Sequence, residues 1–289
     1  MSSRVLKMAK YALRFVPDIP YIQMYYFARF RRLCNLRNPV TYNEKLNWLK
    51  LHDRRAEYVR MVDKYEAKEY VAGLIGREYI IPTLGVWERF DDIDFNALPD
   101  QFVLKCTHDS EGVVIVRDKS RMDIEAARDK IEAAMKCNFY YIGREWPYRN
   151  IKPRIIAEQY MEDHVDGELR DYKFFCFNGE PKAMFIASER GPGTTKFDYY
   201  DLDFHHLDLI QHYPNAAKPP RKPDTFEQMI ELARTLTRGI PHVRADFYEV
   251  DGRLYFGELT FFHFSGFMPF QPAKWDKIFG KWLELPVKK

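Results

Sequence analysis

The sequence lacks the features of several broad protein classes. No stretch approaches about 18 consecutive apolar residues, so we expect no membrane-spanning helix. No small-residue cleavage site follows an apolar segment, so we expect no signal peptide. Lys and Arg number 45 and Asp and Glu 42, and a net charge of +3 is too small for extensive nucleic-acid binding. The cysteines are few and form no C-x-x-C pair, which predicts a reduced, cytoplasmic protein.

Common catalytic and nucleotide-binding motifs are also absent. The sequence has no Walker A loop and no G-x-G-x-x-G fingerprint. It has no G-x-S-x-G elbow, so a serine hydrolase is not expected. The histidines lack the spacing with cysteines or acids that zinc ligands show. Any active site must therefore come from a less familiar arrangement of residues.

The elements that are present predict a globular α+β fold. With 289 residues and 46% hydrophobic content, the chain can form one large domain or two smaller lobes. Strand pairs alternate with single helices, which favours α+β lobes over a doubly wound parallel sheet. Thr41 and Glu44 predict a capping box at a helix start. Predicted strands cover residues 102–105, 113–116, 154–158, 172–177 and 182–187, and predicted helices cover 63–74, 123–136 and 225–236.

The first 33 residues are basic and aromatic, and two interpretations are open. Apolar residues at helical spacing from Val5 to Val16 and an aromatic stretch from Tyr21 to Leu33 are interspersed with Lys and Arg. Such a segment can lie on the cytoplasmic face of an anionic membrane as an amphipathic helix. Alternatively, it is an N-terminal helix pair docked on its own domain.

A hairpin near the C-terminus is the most informative chemical feature. Two β-branched and aromatic runs flank Asp251-Gly252, a strong turn signal. The first strand carries Arg244 and Asp246, and the second carries Glu258 and Thr260. Charged groups inside strands are costly unless they hold something. Carboxylates together with substrate phosphates are the usual way to hold Mg²⁺, so we predict a divalent-cation and phosphate site.

The side-chain alternation of strands sets a condition on this site. A two-residue turn at Asp251-Gly252 would point Asp246 and Glu258 to opposite faces. A three-residue loop, Val250 to Gly252, or a bulge at Gly257 would bring both carboxylates to one face. We therefore expect the loop or the bulge.

Further candidates lie elsewhere in the chain, and several of them have a plain structural alternative. Lys105 ends a strand before the loop containing Ser110 and Gly112, which suits a phosphate clamp or an ordinary hairpin loop. Asp171 and Lys173 share one strand face, where they form either a ligand site or an ion pair. Three further positions are Glu158 at a strand end, Arg190 beyond the second hairpin, and His263 beyond the last hairpin. His263 is a substrate contact, a proton acceptor or a hydrogen-bonding loop histidine.

In this order, the motifs resemble the ATP-grasp superfamily and, more closely, its TupA-like branch, associated with teichuronopeptide biosynthesis. The likeness runs from about residue 38 to 285. It is carried by the phrases at residues 43–50, 63–65, 80–87, 98–105, 153–158, 171–179 and 257–261.

The resemblance implies an ATP-grasp-like α+β fold, with two lobes enclosing a nucleotide site and an N-terminal helical segment. It predicts a mainly helical region over residues 1–90, a small lobe with a mobile phosphate loop over 91–165, and a C-terminal lobe with the metal hairpin over 166–289. ATP would contact Lys105, Ser110, Gly112, Glu158, the backbone of Gln159 and Tyr160, Asp171 and Lys173. Catalytic roles are implied for Arg244, Lys173 and Arg190, Mg²⁺ ligands at Asp246, Glu258 and Thr260, and substrate contacts at His263 and Ser265.

Three positions depart from the family pattern. Thr260 stands where many ATP-grasp enzymes have Asn. Asp109 and Glu111 place negative charge in the loop expected to meet phosphates, which is repulsive without a compensating cation. Residues 261–266 replace a loop rich in Pro and Gly. These departures concern the metal, the loop and the acceptor substrate.

The implied activity is ATP-dependent joining of a carboxylate to an amine through an acyl phosphate. The family context predicts an amino acid and a uronic-acid carboxylate of a capsular or wall polysaccharide as substrates, with no nucleic acid involved. Two other functions stay open. A glycosyltransferase would use Asp201-Leu202-Asp203 as its metal motif, although no clear apolar strand is predicted before it. A non-catalytic nucleotide-binding module is the third.

Overall fold

The protein is described from a computed structural model that covers residues 11–109, 112–165, 167–191 and 193–287. The chain forms two compact units: a main unit of Met1–Arg55 and Asp163–Lys289, and an inserted unit of Ala56–Glu162. The predicted boundaries at residues 90 and 165 stay a prediction. Among the described residues, no helix has the length and apolar character needed to cross a membrane.

The main unit begins with two helices, α1 (Asp18–Phe30) and α2 (Tyr42–His52). Helix α1 buries Ile22 and Tyr26 in an apolar cluster with Cys34 and Phe267. The predicted docking of this segment on its own domain is therefore confirmed for α1. The first predicted helix, from Val5, lies largely outside the described residues, and Leu13–Phe15 forms a short 3-10 turn.

Helix α2 starts with the predicted capping box. The Thr41 hydroxyl accepts from the Glu44 backbone N–H at 3.4 Å, and the Glu44 carboxylate accepts from the Thr41 N–H at 3.0 Å. Satisfying these two donors stabilises the helix start. The prediction of a helix opening at Thr41 is thus confirmed.

The inserted unit combines four helices with a four-stranded antiparallel sheet. Its helices are α3 (Glu57–Val62), α4 (Glu66–Ile75), α5 (Ile124–Met135) and α6 (Tyr140–Gly143), and its strands are β1 (Thr83–Trp87), β2 (Phe102–Cys106), β3 (Val113–Val116) and β4 (Ile155–Gln159). The strand order is β1-β4-β2-β3. The two strands predicted around residues 102–116 pair as a hairpin.

Side-chain alternation gives this sheet one apolar and one partly polar face. Phe102, Leu104 and Ala157 are buried together with Ile131 of α5 in the core of the unit. The alternate positions of β2 and β4 carry Lys105 and Glu158 on the opposite face. The fold thus presents two charged residues on the face away from α5.

The main unit is completed by a five-stranded antiparallel sheet and two helices. The strands are β5 (Asp171–Phe177), β6 (Glu180–Ser188), β7 (Lys196–Tyr200), β8 (His242–Val250) and β9 (Arg253–Thr260), in the order β7-β6-β5-β8-β9, and the helices are α7 (Phe226–Thr237) and α8 (Lys274–Trp282). Helix α7 covers one face, where the rings of Phe226 and Phe174 lie 5.8 Å apart. Two sheets of antiparallel strands with packed helices confirm the predicted α+β class.

Helix α8, which the sequence did not predict, packs against α2. The Asp276 carboxylate accepts from the backbone N–H and the side-chain amide of Asn43, both at 2.9 Å. A Cβ on Gly280 would lie 2.3 Å from the Val40 carbonyl oxygen, so a larger residue would not fit at this crossing. The phrase at residues 43–50 therefore has a packing role in addition to any functional one.

Candidate functional site

The last hairpin contains the bulge that a shared site requires. Asp251 (φ 49°) and Gly252 (φ 74°) form a two-residue turn, with Val250 paired to Arg253. Asp246 pairs with Glu258 and the next residue, Phe247, with Phe256, which leaves Gly257 as an extra residue in β9. Between the two predicted solutions, the structure has the bulge and not the longer loop. It places Arg244, Asp246, Glu258 and Thr260 on one face.

Arg244 connects these groups. Its Nε and Nη2 each donate to one oxygen of Asp246 at 2.7 Å. Nη2 also donates to the Thr260 hydroxyl at 3.0 Å and to Glu258 Oε1 at 3.3 Å. A bidentate pair of this kind fixes the plane of the guanidinium.

Strand β5 adds a second cation and another carboxylate to this face. Lys173 Nζ lies 2.5 Å from Oδ2 of both Asp171 and Asp246. Arg190 Nη1 lies 3.3 Å from Asp171. The set of Asp171, Lys173, Arg190, Arg244, Asp246, Glu258 and Thr260 is called the Arg244 cluster below.

The charges of the Arg244 cluster balance, because three carboxylates face three cations. Burial raises the pKa of Asp246, and the adjacent Arg244 and Lys173 oppose that rise. Asp171 is the largest of the influences that raise the pKa of Arg190. Asp171 Oδ1 is buried and has no hydrogen-bond partner among the described residues, so the cluster retains acceptor capacity for a ligand. Glu258 and Arg190 are its most exposed charged members.

His263 lies behind Arg244. Nη1 of Arg244 donates to His263 Nδ1 at 2.7 Å, and His263 Nε2 lies 2.8 Å from Gln211 Oε1. Gln211 Nε2 donates to the Met268 carbonyl at 2.8 Å, so its Oε1 must accept from an Nε2–H of the imidazole. The chain of bonds assigns a neutral, Nε2-protonated histidine. Burial, followed by the nearby Arg244, holds the pKa of His263 well below its usual value. A substrate contact of His263 stays a prediction.

The residues after His263 form a left-handed turn that the sequence did not predict. Phe264, Ser265 and Gly266 have φ values of 46°, 53° and 61°. Such a conformation costs free energy in residues other than glycine and needs external support. Lys50 Nζ donates to the Ser265 carbonyl at 2.6 Å, and Asn47 donates to the Gly266 carbonyl at 2.8 Å. Asn47 and Lys50 belong to the family phrase at residues 43–50, but nothing in the sequence indicated which carbonyl groups they bind.

The inserted unit has its own charged cluster, formed by Lys68, Lys105 and Glu158. Lys105 Nζ lies 2.5 Å from Glu158 Oε2, and Lys68 Nζ lies 2.6 Å from Oε1. Burial would raise the pKa of Glu158, but Lys105 and Lys68 outweigh it and lower the value to about 2. We call this set the Glu158 cluster. Lys68, on helix α4, was missed because one lysine among the buried Ala67 and Val71 gives no distinctive sequence signal.

The remaining nucleotide candidates surround the same sheet. The Gln159 N–H donates to the Pro82 carbonyl at 3.0 Å, and the Tyr160 hydroxyl accepts from Arg117 at 3.1 Å. An open groove of about 800 Å³ adjoins both residues. A Cβ on Gly112 would lie 2.6 Å from Cβ of Ala134, so packing on α5 alone requires glycine there. Ser110 and Glu111 lie outside the described residues.

The Asp201-Leu202-Asp203 motif sits on a surface turn. Contrary to the sequence-based expectation, the strand β7 directly precedes it, with Phe197 and Tyr199 buried. The side chains of Asp201, Asp203 and His205 place ligand atoms within 4.8 Å of one another. Asp201 already accepts from the Asp203 and His205 backbone N–H groups, as in an ordinary Asx turn.

The chemistry of the Arg244 cluster fits a divalent cation with a phosphate. Asp246, Glu258 and Thr260 supply hard oxygen atoms at one position of the sheet, which is the ligand type that Mg²⁺ prefers. The Asp246 oxygens are engaged by Arg244 and Lys173, whereas Glu258 is partly exposed. A cation entering here would share Asp246 with the two basic side chains, and a phosphate would meet Arg190, Lys173 and Arg244.

Two solved ligase structures resemble the chain at low sequence identity. A crystal structure of D-alanine–D-alanine ligase from Helicobacter pylori is 16% identical, with a TM-score of 0.44, covering 84% of this chain and 69% of that one. The Bacillus anthracis enzyme complexed with ATP is 13% identical, with a TM-score of 0.40, covering 69% of this chain and 53% of that one. The chain therefore spans about half the length of the latter, and these likenesses are too weak to support an argument about activity.

The comparison with curated proteins found no match. The sequence model of one protein family, described as TupA-like ATPgrasp, matches residues 44–284. This range includes both charged clusters and the left-handed turn. The chain belongs to the TupA-like ATPgrasp family.

Proposed function

We propose that the protein is an ATP-dependent ligase that joins a carboxylate to an amine through an acyl phosphate. The observation that carries this proposal is the Arg244 cluster, where a bulge at Gly257 aligns two carboxylates with a fixed guanidinium. Membership of the TupA-like ATPgrasp family supports it. An arrangement of cations and metal-binding carboxylates suits phosphoryl transfer, which depends chiefly on positioning and charge stabilisation.

The first step transfers the γ-phosphoryl group of ATP to the substrate carboxylate. The bond between the γ-phosphorus and the bridging oxygen of ADP breaks, and a carboxylate oxygen bonds to phosphorus. Arg244 would donate to the transferring group, because its guanidinium is already oriented by Asp246, Thr260 and His263. Lys173 and Arg190 would neutralise the remaining phosphate charge.

In the second step, an amine attacks the acyl carbon. A C–N bond forms, inorganic phosphate leaves, and the amine gives up a proton to solvent. Arg190 is half exposed and close to Asp171, so we assign it to the phosphate that leaves. The cations that stabilise charge in the first step also stabilise the departing phosphate in the second.

Asp246 and Glu258, with the Thr260 hydroxyl beside them, are the residues we assign to Mg²⁺. When bound, the metal supplies Lewis-acid stabilisation of phosphate oxygens. Thr260 Oγ1 donates to Glu258 Oε1 at 3.4 Å and accepts from Arg244, so this residue also positions both partners. The Thr at this position is thus compatible with a cation site, because it leaves two carboxylates to bind the metal.

We assign nucleotide binding to the Glu158 cluster. Lys105 and Lys68 share one carboxylate, so either ammonium group can also donate a hydrogen bond to an incoming phosphate. Gln159 ends the same strand and Tyr160 follows it, and we assign their backbone groups to adenine. The carboxylate of Glu158 would then accept from ribose or keep the two lysines in place.

We further propose an amino acid and a uronic-acid carboxylate of a cell-surface polysaccharide as the substrates. This proposal rests on the resemblance to the teichuronopeptide branch of the family. A matrix of amino acids against glucuronic and galacturonic acid, read by ADP release, tests activity and both substrates together. One combination should exceed the rate with ATP alone by a large factor.

The matched variant for this assay is the double change Asp246→Asn and Glu258→Gln. We expect it to lose Mg²⁺-dependent ADP release, whereas Asp203→Asn on the exposed turn keeps the parent rate. Undiminished ADP release in the double variant would contradict the proposal. Tight binding of a uridine diphosphate sugar without any response to ATP would favour the glycosyltransferase.

A further inference from the structure

The outward face of helix α1 is apolar, although the helix is already docked on the main unit. Its inward residues, Ile22 and Tyr26, are fully buried. The outward residues Ile19, Met24 and Phe27 remain 56%, 50% and 50% exposed. A helix that is apolar on both sides is usually covered on both sides. The face formed by Ile19, Met24 and Phe27 is called the α1 face.

Exposed apolar residues continue on both sides of the helix. Phe15, before α1, is 80% exposed, and Leu33, after it, is 64% exposed. Together with the α1 face they are five large apolar side chains within 19 residues of sequence, from 15 to 33. Five large exposed apolar side chains so close in sequence form a candidate interaction surface.

The charge around this face has one sign. Residues 1–38 contain eight Lys and Arg residues and a single acid, Asp18, whereas the whole chain has 45 basic and 42 acidic residues. Asp18 is paired with Arg54, and Arg32 with Glu44. Among the described residues, no acidic side chain forms an ion pair with Arg14, Arg29, Arg31 or Arg37.

We propose that the α1 face binds the surface of an anionic lipid bilayer. The apolar side chains would enter the interface between headgroups and acyl chains, as amphipathic helices do. The neighbouring arginines would meet lipid phosphates, and the preceding ten residues add Arg4, Lys7 and Lys10 to the same end of the chain. Charge complementarity selects this occupant over a second copy of the chain, because two such faces would bring like charges together.

Co-sedimentation of the full-length chain with vesicles tests this. We expect binding to vesicles of phosphatidylcholine with phosphatidylglycerol, little binding to phosphatidylcholine alone, and weakening by salt. The variant Ile19→Ser with Phe27→Ser should bind at least about ten-fold more weakly, given the transfer free energies of such side chains. Its matched control, Ile115→Ser with Ile124→Ser, removes two other exposed isoleucines and should bind like the parent.

A second pair of variants isolates the charge. Arg29→Gln with Arg31→Gln should weaken binding by about 25-fold, since each basic residue at an anionic surface contributes about five-fold. Arg121→Gln with Arg238→Gln should change it little. Unaltered thermal unfolding would show that each variant is folded. Unaltered ATP binding would show that the loss of vesicle binding is independent of the proposed ligase function.

Equal binding to both vesicle types, or an unweakened Ile19→Ser, Phe27→Ser variant, would overturn the proposal. So would a concentration-dependent dimer in size-exclusion chromatography that disappears in that variant while vesicle binding is absent. In that case a second copy covers the α1 face.

Discussion

Arg244 donates a hydrogen bond from Nη1 to His263 Nδ1 over 2.7 Å. The opposite ring nitrogen is held by Gln211, which in turn is bound to the Met268 carbonyl. The guanidinium is therefore oriented from two sides, by carboxylates in front and by a neutral imidazole behind. Protonation of Nδ1 would remove the acceptor and place two cations in contact. His263 thus acts on the site through Arg244.

Substitutions of His263 distinguish a role in positioning Arg244 from a role in packing alone. We expect His263→Leu to lower the rate of ADP release about 10- to 100-fold, as loss of an outer partner of a functional residue commonly does. ATP affinity should change much less, because the Glu158 cluster is untouched. His263→Asn can keep an acceptor near Nδ1 and should recover a substantial part of the rate. The exposed His205→Leu variant is the control. Equal losses in the Leu and Asn variants would show that His263 is needed only for packing.

The bulge at Gly257 offers a second test. Gly257→Val disfavours the bulge, because a β-branched residue suits regular strand pairing and a Cβ at this position would lie 3.1 Å from the Asp246 carbonyl oxygen. With the two-residue turn kept, a regular ladder pairs residue 257 with Asp246 and turns Glu258 and Thr260 to the other face of β9. We expect this variant to lose Mg²⁺-dependent ADP release, with a larger effect than Glu258→Gln alone. Gly73→Val, where an added Cβ meets nothing within 4 Å, is the control. Thermal unfolding checks that both variants fold, and a Gly257→Val variant that is folded and fully active would contradict the shared site.

Much of this site was predictable because it depends on rules of local sequence. Alternation and turn chemistry located the hairpin and limited its geometry to a loop or a bulge, and the structure has the bulge at Gly257. The capping box at Thr41 and the pairing of β2 with β3 follow equally local rules and are confirmed. Family resemblance supplied the ATP-grasp fold, and the match over residues 44–284 confirms it.

The missed parts depend on contacts between distant residues. Lys68 reaches Glu158 from a helix 90 positions earlier, and Lys50 reaches Ser265 across 215 positions. Strand β7 was missed because its charged and aromatic residues, Lys196 to Tyr200, do not alternate in the way a half-buried strand does. The assigned roles of the site residues, including Ser265 and Gly112, stay predictions.

Two buried histidines predict that the free energy of unfolding decreases as the pH is lowered. Burial lowers the pKa of His242 to about 3, and its ring is held between the Tyr42 hydroxyl and the Cys176 carbonyl. The unfolded histidine titrates near 6.5, so below that pH the unfolded chain binds more protons and stability falls. At pH 5, His242 alone should cost about 2 kcal/mol relative to pH 7, and His263 shifts in the same direction.

Urea unfolding at pH 7 and pH 5 measures this loss. His242→Gln should lower stability at pH 7 but reduce the further loss at pH 5, because a titrating group has been removed. Gln228→Ala, at an exposed position of α7, removes no titrating group and should leave the pH dependence unchanged. A variant with the parent's full pH dependence would show that other groups cause the acid sensitivity.

The buried carboxylate of Glu158 predicts a loss of folding stability in a more acidic pH range than that of the histidines. Its pKa of about 2 in the folded protein lies below the ordinary value of 4.5, so its contribution is complete above pH 4.5 and is lost as the pH falls toward 2. The difference corresponds to about 3 kcal/mol. Glu158→Gln should cost about 3 to 5 kcal/mol at neutral pH, because it leaves Lys68 and Lys105 without their shared carboxylate. Urea unfolding measures this cost.

The matched variant is Glu158→Gln combined with Lys68→Met, which removes the more buried of the two cations. If the cost of Glu158→Gln comes from an unpaired buried charge, the double variant should be more stable than the single one. ATP binding, followed by calorimetry, should be weakened in both, because Glu158 positions Lys68 and Lys105 and Lys68 is itself assigned to phosphate. A double variant that is less stable by the full sum of the single effects would show that the three residues act independently, and the Glu158 cluster would then not be a coupled ion-pair site.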